Sequence, residues 1–402
     1  MKNILYIHHS PTFGGASRSI LEAIKSLPEN EIKPYFICAK GSASTQFKTI
    51  SNDVVTAKGI TVFDHGMYGH YRGKRWLILF RELLFLLPTI LAFVKAKIRW
   101  WNVIFSVIHV NEVSLLPSAF LAKLFFNVPI VLHCRALQET KQGRFRRWLL
   151  TKFLGKFIDC VIAIDDDCYR SLPFKEKACV IHNGFAMQPI DINEVLKARQ
   201  QNEKFIVGFV GNMMPLKGIY EYVDAANEFH QRNIHDVVFR VIGPRYDGKY
   251  SFIDYVFDVT GFRELASKKV ANRVDELQLS NLEFTGFQMD ISKHYQEMDV
   301  LCFPSHVDAV GRPVFEAGFF HVPSIVAVID PTNDTFVPMQ TGIQIAEKNS
   351  SELFEAILKL KDNPELCYKY GRGAYDLSHK HYDIKKNAIN LLQVYEDLAN
   401  KS

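Results

Sequence analysis

Residues 300–328 constrain the fold more than any other stretch. Val300-Leu301-Cys302-Phe303 is a short apolar run of buried-strand type, and Pro323-Ser324-Ile325-Val326-Ala327-Val328 opens a second. Between them lie a loop, 304–311, and a helical segment near Pro313, whose missing N–H is no loss in a first helical turn. Strand, loop, helix and strand make the repeating piece of an open α/β sheet. The loop then sits at the carboxyl end of a strand with backbone N–H groups turned outward. Such sheets bind ligands there, and helix starts favour phosphate. Asp308 and Glu316 bracket the loop with seven residues between them. Carboxylates repel phosphate, so this pair is suited to accepting hydrogen bonds from hydroxyl groups.

The same piece recurs along the chain. Residues 4–8 form an apolar strand that runs into Ser10-Pro11-Thr12-Phe13-Gly14-Gly15-Ala16 and a helical pattern over 17–27. Residues 34–38 and 59–63 read as the next strands, followed by 107–111 and 129–133, each with a His near its carboxyl end. Residues 205–211 run into a loop that ends at Lys217-Gly218, and 238–244 and 282–287 are strands that end in turns. A lysine at such a mouth suits a phosphate group as a point charge. Residues 186–204 are polar, carry a Pro, and lie between one series of strands and helices and the next. With 402 residues, more than one core supports, the expected domains are 1–190 and 204–382.

Composition excludes several classes. At 48% apolar and 23% charged residues the chain is of globular rather than disordered type. A net charge of +5 is too mild to argue for nucleic acid. The seven cysteines are scattered without a Cys-x-x-Cys pair, which suits a reducing cytosol and offers neither a disulfide framework nor a zinc site. The apolar run at 4–7 is too short for a signal peptide. Residues 76–101 stand apart, because their apolar length approaches a membrane span while Arg81, Glu82 and Pro88 interrupt it. Two readings stay open: a core helix pair on the sheet, or an amphipathic surface on anionic lipid with Lys, Arg and Trp at the headgroups. Basic residues cluster at 72–75, 95–99 and 141–147.

Three smaller features complete the chain. Asp165-Asp166-Asp167 contains an Asp-x-Asp pair of metal-binding appearance, yet a cap on the helix near Cys168 explains it. Asn183-Gly184 reads as a sharp turn built on positive φ. His133 ends a strand, where a histidine is more often structural, and Arg135 follows it closely enough to share a site.

In their order these motifs resemble the retaining glycosyltransferases of family 4, which have the GT-B fold. The family's Glu-Gly-Phe-Gly-Leu-Pro-x-x-Glu-Ala stands here as Asp-Ala-Val-Gly-Arg-Pro-Val-Phe-Glu-Ala, from Asp308 to Ala317. Its Gly-Arg-x-x-x-x-Lys-Gly stands as Gly211-Asn212 through Lys217-Gly218, with Asn212 for the arginine. The resemblance covers essentially the whole chain. It implies an α/β protein of two Rossmann-like parallel-sheet domains facing across a cleft, with a last helix, 383–402, crossing back to the first domain. It implies catalytic roles for Lys217, Glu316, Asp308 and His133. Around the donor it implies Gly14, Gly15, Gly211, Asn212, Gly243, Arg245, Gly286, Ala309, Val310, Gly311 and Arg312, with Arg135 on the acceptor or phosphate side. Arg312 or Arg245 would replace the charge lost at Asn212.

The implied donor is a nucleoside-diphosphate sugar, used without metal or other cofactor. The implied acceptor is a glycan or lipid-linked saccharide of a bacterial surface polysaccharide such as O-antigen or capsule. Contact with an anionic membrane at its cytoplasmic face follows, and nucleic acid is not among the partners. Two other classes stay open at this point: a GT-B sugar-nucleotide epimerase, and a non-catalytic sugar-nucleotide-binding protein.

Overall fold

The computed structural model describes residues 1–401 apart from 65, 68–72, 74, 75, 140, 142, 188, 189, 245–265 and 289. The chain divides into two compact units, Met1–Ala186 with Tyr382–Ser402, and Met187–His381. Unit 1 holds a seven-stranded parallel sheet of β1 (Lys2–His8), β2 (Ile32–Ala39), β3 (Asp53–Ala57), β4 (Val107–Val110), β5 (Ile130–Cys134), β6 (Cys160–Ala163) and β7 (Ala178–Val180), in the order β3-β2-β1-β4-β5-β6-β7. Unit 2 holds a six-stranded sheet of β8 (Phe205–Val210), β9 (Val237–Ile242), β10 (Leu282–Gly286), β11 (Val300–Phe303), β12 (Ser324–Val326) and β13 (Gly342–Gln344), in the order β10-β9-β8-β11-β12-β13. In each sheet the order reverses beside the first strand, the arrangement of a dinucleotide-fold sheet.

Both faces of each sheet are covered, which is why the strands read as continuous apolar runs. In β1 the two-residue period sends Leu5 and Ile7 to one face and Ile4 and Tyr6 to the other. The first face packs on helices that include Trp76–Arg99 and Leu116–Phe126, through Phe93, Ala96 and Ala119. The second packs on Gly15–Lys25 and on the last helix, Ile384–Ala399, whose Leu391 and Tyr395 are buried against Tyr6. In unit 2, Val207, Phe239 and Val241 pack on the helices Ile219–Gln231 and Ser350–Lys361. Complete burial of a side chain such as Phe239 is worth about 2–3 kcal/mol.

Several local expectations change. The third strand is Asp53–Ala57, not 59–63; Gly59 instead packs under the Phe85 ring and Thr61 is hydrogen-bonded to a helix. Residues 76–99 form one helix with Pro88 inside it, not a pair. Within 186–204 lies a helix, Ile192–Gln200, that belongs to unit 2. Its Arg199 donates to the carbonyls of Tyr295 (2.7 Å), Gln296 (2.7 Å) and Phe320 (2.8 Å), at the ends of two other helices. Those carbonyls have no partner within their own helices, so the buried guanidinium is held where it is needed.

Asp165 does cap its helix, accepting from the Cys168 amide at 2.6 Å. The turn at Asn183-Gly184 is not of the expected kind, because neither residue has positive φ. Gly184 is demanded by packing instead: a Cβ there would lie 2.3 Å from the Ile384 side chain and 2.5 Å from its Cα.

Candidate active site

In unit 2 the sheet order reverses between β8 and β11, so the loops that leave those strands, 211–218 and 304–311, rise side by side. The two loops are stitched together. The His306 amide donates to the Leu216 carbonyl at 2.9 Å, and Ser305 Oγ donates to the same oxygen at 3.2 Å. Gly218 has φ +74°, and a Cβ on it would fall 1.9 Å from the Pro304 carbonyl oxygen. That position therefore admits only glycine, and the approach fixes Lys217 just before it.

The Lys217 side chain turns back over the start of its own loop. Its Nζ lies 2.8 Å from the point a Cβ on Gly211 would occupy. It makes no hydrogen bond or ion pair with any described residue, and burial lowers its pKa with no carboxylate to offset the effect. An ammonium drawn partly out of water without a counter-charge is costly, and an incoming anion relieves that cost.

The other expected donor residues behave differently from one another. Asn212 is exposed at the loop, and Asp308, Ala309, Val310 and Gly311 are half-buried along theirs. The Ala309 amide is spent on the Val307 carbonyl at 2.7 Å, so it is not an outward donor. Gly243 serves close packing, since a Cβ there would lie 2.0 Å from the Gly211 carbonyl oxygen. Gly286 has φ +75° and open space around it. Arg245 lies outside the described residues.

Glu316 requires a correction. An open carboxylate facing hydroxyl groups is expected there, but Glu316 is 2% exposed. The Tyr295 hydroxyl donates to its Oε2 at 2.9 Å, and the Arg312 Nε donates to its Oε1. The inward face of the helix Arg312–Gly318 carries Glu316, and Arg312 lies one turn earlier, so the two close on each other. Arg312 is thereby committed to a carboxylate and to the face of Phe315, 5.7 Å away, and is not an open replacement for the missing arginine.

Unit 1 reverses its sheet order between β1 and β4, and there polar side chains gather. Arg135 Nε donates to Asn111 Oδ1 at 2.8 Å, Nη1 to Asn183 Oδ1 at 2.9 Å, and Nη2 to His133 Nδ1 at 3.2 Å. A guanidinium only donates, so His133 Nδ1 is the acceptor and the ring proton sits on Nε2, a buried atom without a partner. His133 Nδ1 also meets His109 Nε2 at 3.2 Å, and His109 Nδ1 meets the Tyr395 hydroxyl at 2.7 Å. Burial and the nearby Arg135 charge hold both rings well below the ordinary histidine pKa, so they are neutral.

Arg135, expected as a phosphate or acceptor ligand, thus spends much of its donor set inside the unit. Gly14 and Gly15 face open space, with nothing within 4 Å of an added Cβ. Sequence reading does not single out His8, His9, Asn111 or Glu112, although all follow the ends of apolar strands where a site is expected. His8 is pushed down to about 3, first by burial and then by His9 and Arg135. Burial pushes Glu112 up to about 7 against the pull of the Val113 amide and Arg135. Among the described residues no His, Cys, Asp or Glu cluster is placed to hold a metal ion.

Two parallel sheets, each with loops gathered where its strand order reverses and one of them presenting a lysine without an ion pair among the described residues, place the candidate site at strand ends. Residues 13–188 match the family model Glycosyltransferase Family 4, and residues 192–377 match Glycosyl transferases group 1. The chain belongs to the family 4 glycosyltransferases, with the GT-B fold.

Solved structures of that fold resemble it over nearly the full length. HepE of Anabaena in complex with UDP gives a TM-score of 0.73 at 18% identity, covering 99% of this chain and 100% of that one. HepE with UDP-glucose gives 0.72 at 19%, with the same coverage. Sucrose-phosphate synthase of Thermosynechococcus elongatus gives 0.71 at 16%, covering all of both chains. The capsular polysaccharide biosynthesis glycosyltransferase CapM of Staphylococcus aureus is 24% identical over 166 residues, 41% of this chain. The matched segment spans 39% of the length of that relative.

Proposed function

We propose that this chain transfers a hexose, with retention of configuration, from a nucleoside-diphosphate sugar to a saccharide acceptor in the assembly of a surface polysaccharide such as capsule, O-antigen or lipopolysaccharide. The observation that carries this reading is Lys217, a half-buried ammonium without a counter-charge among the described residues, beside the loop that bears Asp308. HepE binds UDP and UDP-glucose, which makes UDP-sugars the first donors to try. CapM, named for capsule synthesis, supports the choice of pathway.

In the reaction the bond from the anomeric carbon to the diphosphate oxygen breaks, and the oxygen leaves with the electron pair. The acceptor hydroxyl forms its bond to that carbon on the same face and passes its proton to the departing phosphate oxygen. Lys217 balances the growing negative charge, a preorganised electrostatic role that needs no metal. Asp308 takes hydroxyls of the transferred sugar. Glu316, held by Tyr295 and Arg312, acts chiefly as a positioning residue for Arg312. On the acceptor side, His133 offers its Nε2 proton and Arg135 fixes the ring. A cytoplasmic location belongs to this reading and agrees with seven cysteines that are all unpaired thiols.

The test is incubation with a panel of nucleoside-diphosphate sugars and lipid-linked saccharides, in buffer with and without EDTA. Mass spectrometry and proton NMR then report the product and its anomeric configuration. A glycosylated product of unchanged configuration, insensitive to EDTA, is expected. A free epimer of the donor, or donor left intact by every acceptor, would overturn the reading in favour of the epimerase or the binding protein.

A further inference from the structure

We propose that unit 1 docks on an anionic lipid bilayer through the outer face of the helix Trp76–Arg99, which lies along the membrane surface rather than across it. Phe80, Leu84, Leu87, Leu91, Val94 and Ile98 recur every three or four residues and form a single stripe along that helix. They are exposed, Phe80 at 66% and Ile98 at 70%. A continuous apolar row of this length on a protein surface marks a site of association.

The opposite face of the helix is bound to the body of the unit. Glu82, Thr89, Ala92, Phe93 and Ala96 are buried. The Thr61 amide donates to Thr89 Oγ1 at 2.8 Å, its hydroxyl to the Glu82 carbonyl at 2.9 Å, and the Val62 amide to the Glu82 carboxylate at 3.2 Å. By length and composition the helix is long and apolar enough to cross a bilayer. Crossing would strip Glu82 and Thr89 of these partners in a medium that supplies none. Lying in the interface keeps every bond and covers the stripe.

Charge selects the occupant. The helix Arg144–Phe157 carries Arg144, Arg146, Arg147, Lys152 and Lys156 and no acid, with Phe145 and Trp148 exposed among them. It continues the patch, because the Arg146 guanidinium lies over the Trp76 ring at 5.6 Å. On the long helix, Lys95 and Lys97 flank the stripe on either side, whereas Arg99 is committed to Asp53, 3.0 Å away. Trp101, 81% exposed, stands at the far end. Exposed Trp at the margins with a basic rim is the pattern of a headgroup-level surface. A symmetric dimer through the same patch would set this rim against its own copy, like charge against like. Anionic headgroups complement it instead.

The proposal does not rest on the transfer reaction, and its test needs no substrate. The full chain is sedimented with vesicles of phosphatidylcholine alone and of phosphatidylcholine mixed with phosphatidylglycerol. Co-sedimentation with the anionic vesicles, released by high salt or alkaline wash, is expected. The double variant L87Q/L91Q should bind these vesicles at least roughly tenfold more weakly, since the proposed burial of that face drives association. Its substituted side chains are exposed, so its melting temperature should not change. A second variant, R144Q/R147Q/K152Q, should lose binding to the anionic vesicles and little to the neutral ones. Three outcomes contradict the proposal: wild-type protein left in the supernatant, protein that resists the alkaline wash as a spanning helix does, or a wild-type dimer that L87Q/L91Q converts to monomer without any vesicle binding.

Discussion

The two units share a plan and differ in what they place where the sheet order reverses. Unit 1 fills that end with side chains that bond to one another, Arg135 holding Asn111, Asn183 and His133 beside a run of neutral buried histidines. Unit 2 sets Arg312 on Glu316 and His306 against Glu221, and leaves Lys217 with no counter-charge among the described residues. One sheet end is lined by side chains bonded to one another, and the other presents a cation with no counter-charge among the described residues. The same strand order therefore carries two different sets of side chains at its reversal, and the proposed function assigns the diphosphate to unit 2.

The contrast can be broken at several points. The largest effect is expected for Glu316→Ala, which leaves the Arg312 charge buried without its carboxylate and should cost about 3–5 kcal/mol in denaturant melts. Replacing both partners, Arg312→Met with Glu316→Met, should recover most of that loss. If it does not, Glu316 is not mainly the partner of Arg312. Next in size is Lys217→Met, which should lower kcat/KM by roughly 100- to 1000-fold, as removal of one preorganised donor does, with the melting temperature unchanged or raised.

Acidity separates the units further. His8 at about 3 and His9 at about 4 are held below the ordinary histidine range by burial. Their folded-state values are depressed, so the stability they contribute is present above about pH 6.5 and lost as pH falls toward those values, by about 2 kcal/mol per histidine at pH 5. In unit 2 His321, at about 4, acts the same way. Asp299 works against it, as Glu112 at about 7 works against the several histidines of unit 1, because burial raises both carboxyls, Asp299 to about 6, and acid therefore favours the folded form. Hydrogen exchange at pH 7.5 and pH 5 should show protection lost in unit 1 more than in unit 2; equal loss would argue against a neutral histidine cluster. The smallest effect is expected for Asn183→Ala, which removes one acceptor from Arg135 and should cost about 1–2 kcal/mol while raising KM for acceptor and leaving KM for donor alone.

Much of this is legible in the sequence, and the limits have physical causes. The strand–loop–helix pieces, the lysine loop and the Asp308–Glu316 spacing depend on local order, and local order is what a sequence displays. The cap at Asp165 is local too. Burial of Glu316 is not, because it depends on Tyr295, 21 residues away along the chain, reaching under the helix. The need for Gly184 is hidden because its reason, the Ile384 side chain, lies 200 residues on. The third strand differs from its expected place because 59–63 is the more apolar stretch, while Asp53–Ala57 owes its position to pairing with β2. His8, His109 and His133 are separate letters in the sequence, and only the parallel order of β1, β4 and β5 brings them to one end.

The most direct measurement is calorimetric binding of a nucleoside diphosphate to the full chain and to Lys217→Met, in the absence of acceptor. The wild type should bind, and the variant should bind roughly ten- to a hundredfold more weakly, as loss of a charged partner to phosphate implies, while Arg135→Met leaves the affinity as it was. Equal affinity in wild type and Lys217→Met, or a loss that follows Arg135 instead, would place the anion elsewhere and contradict the account.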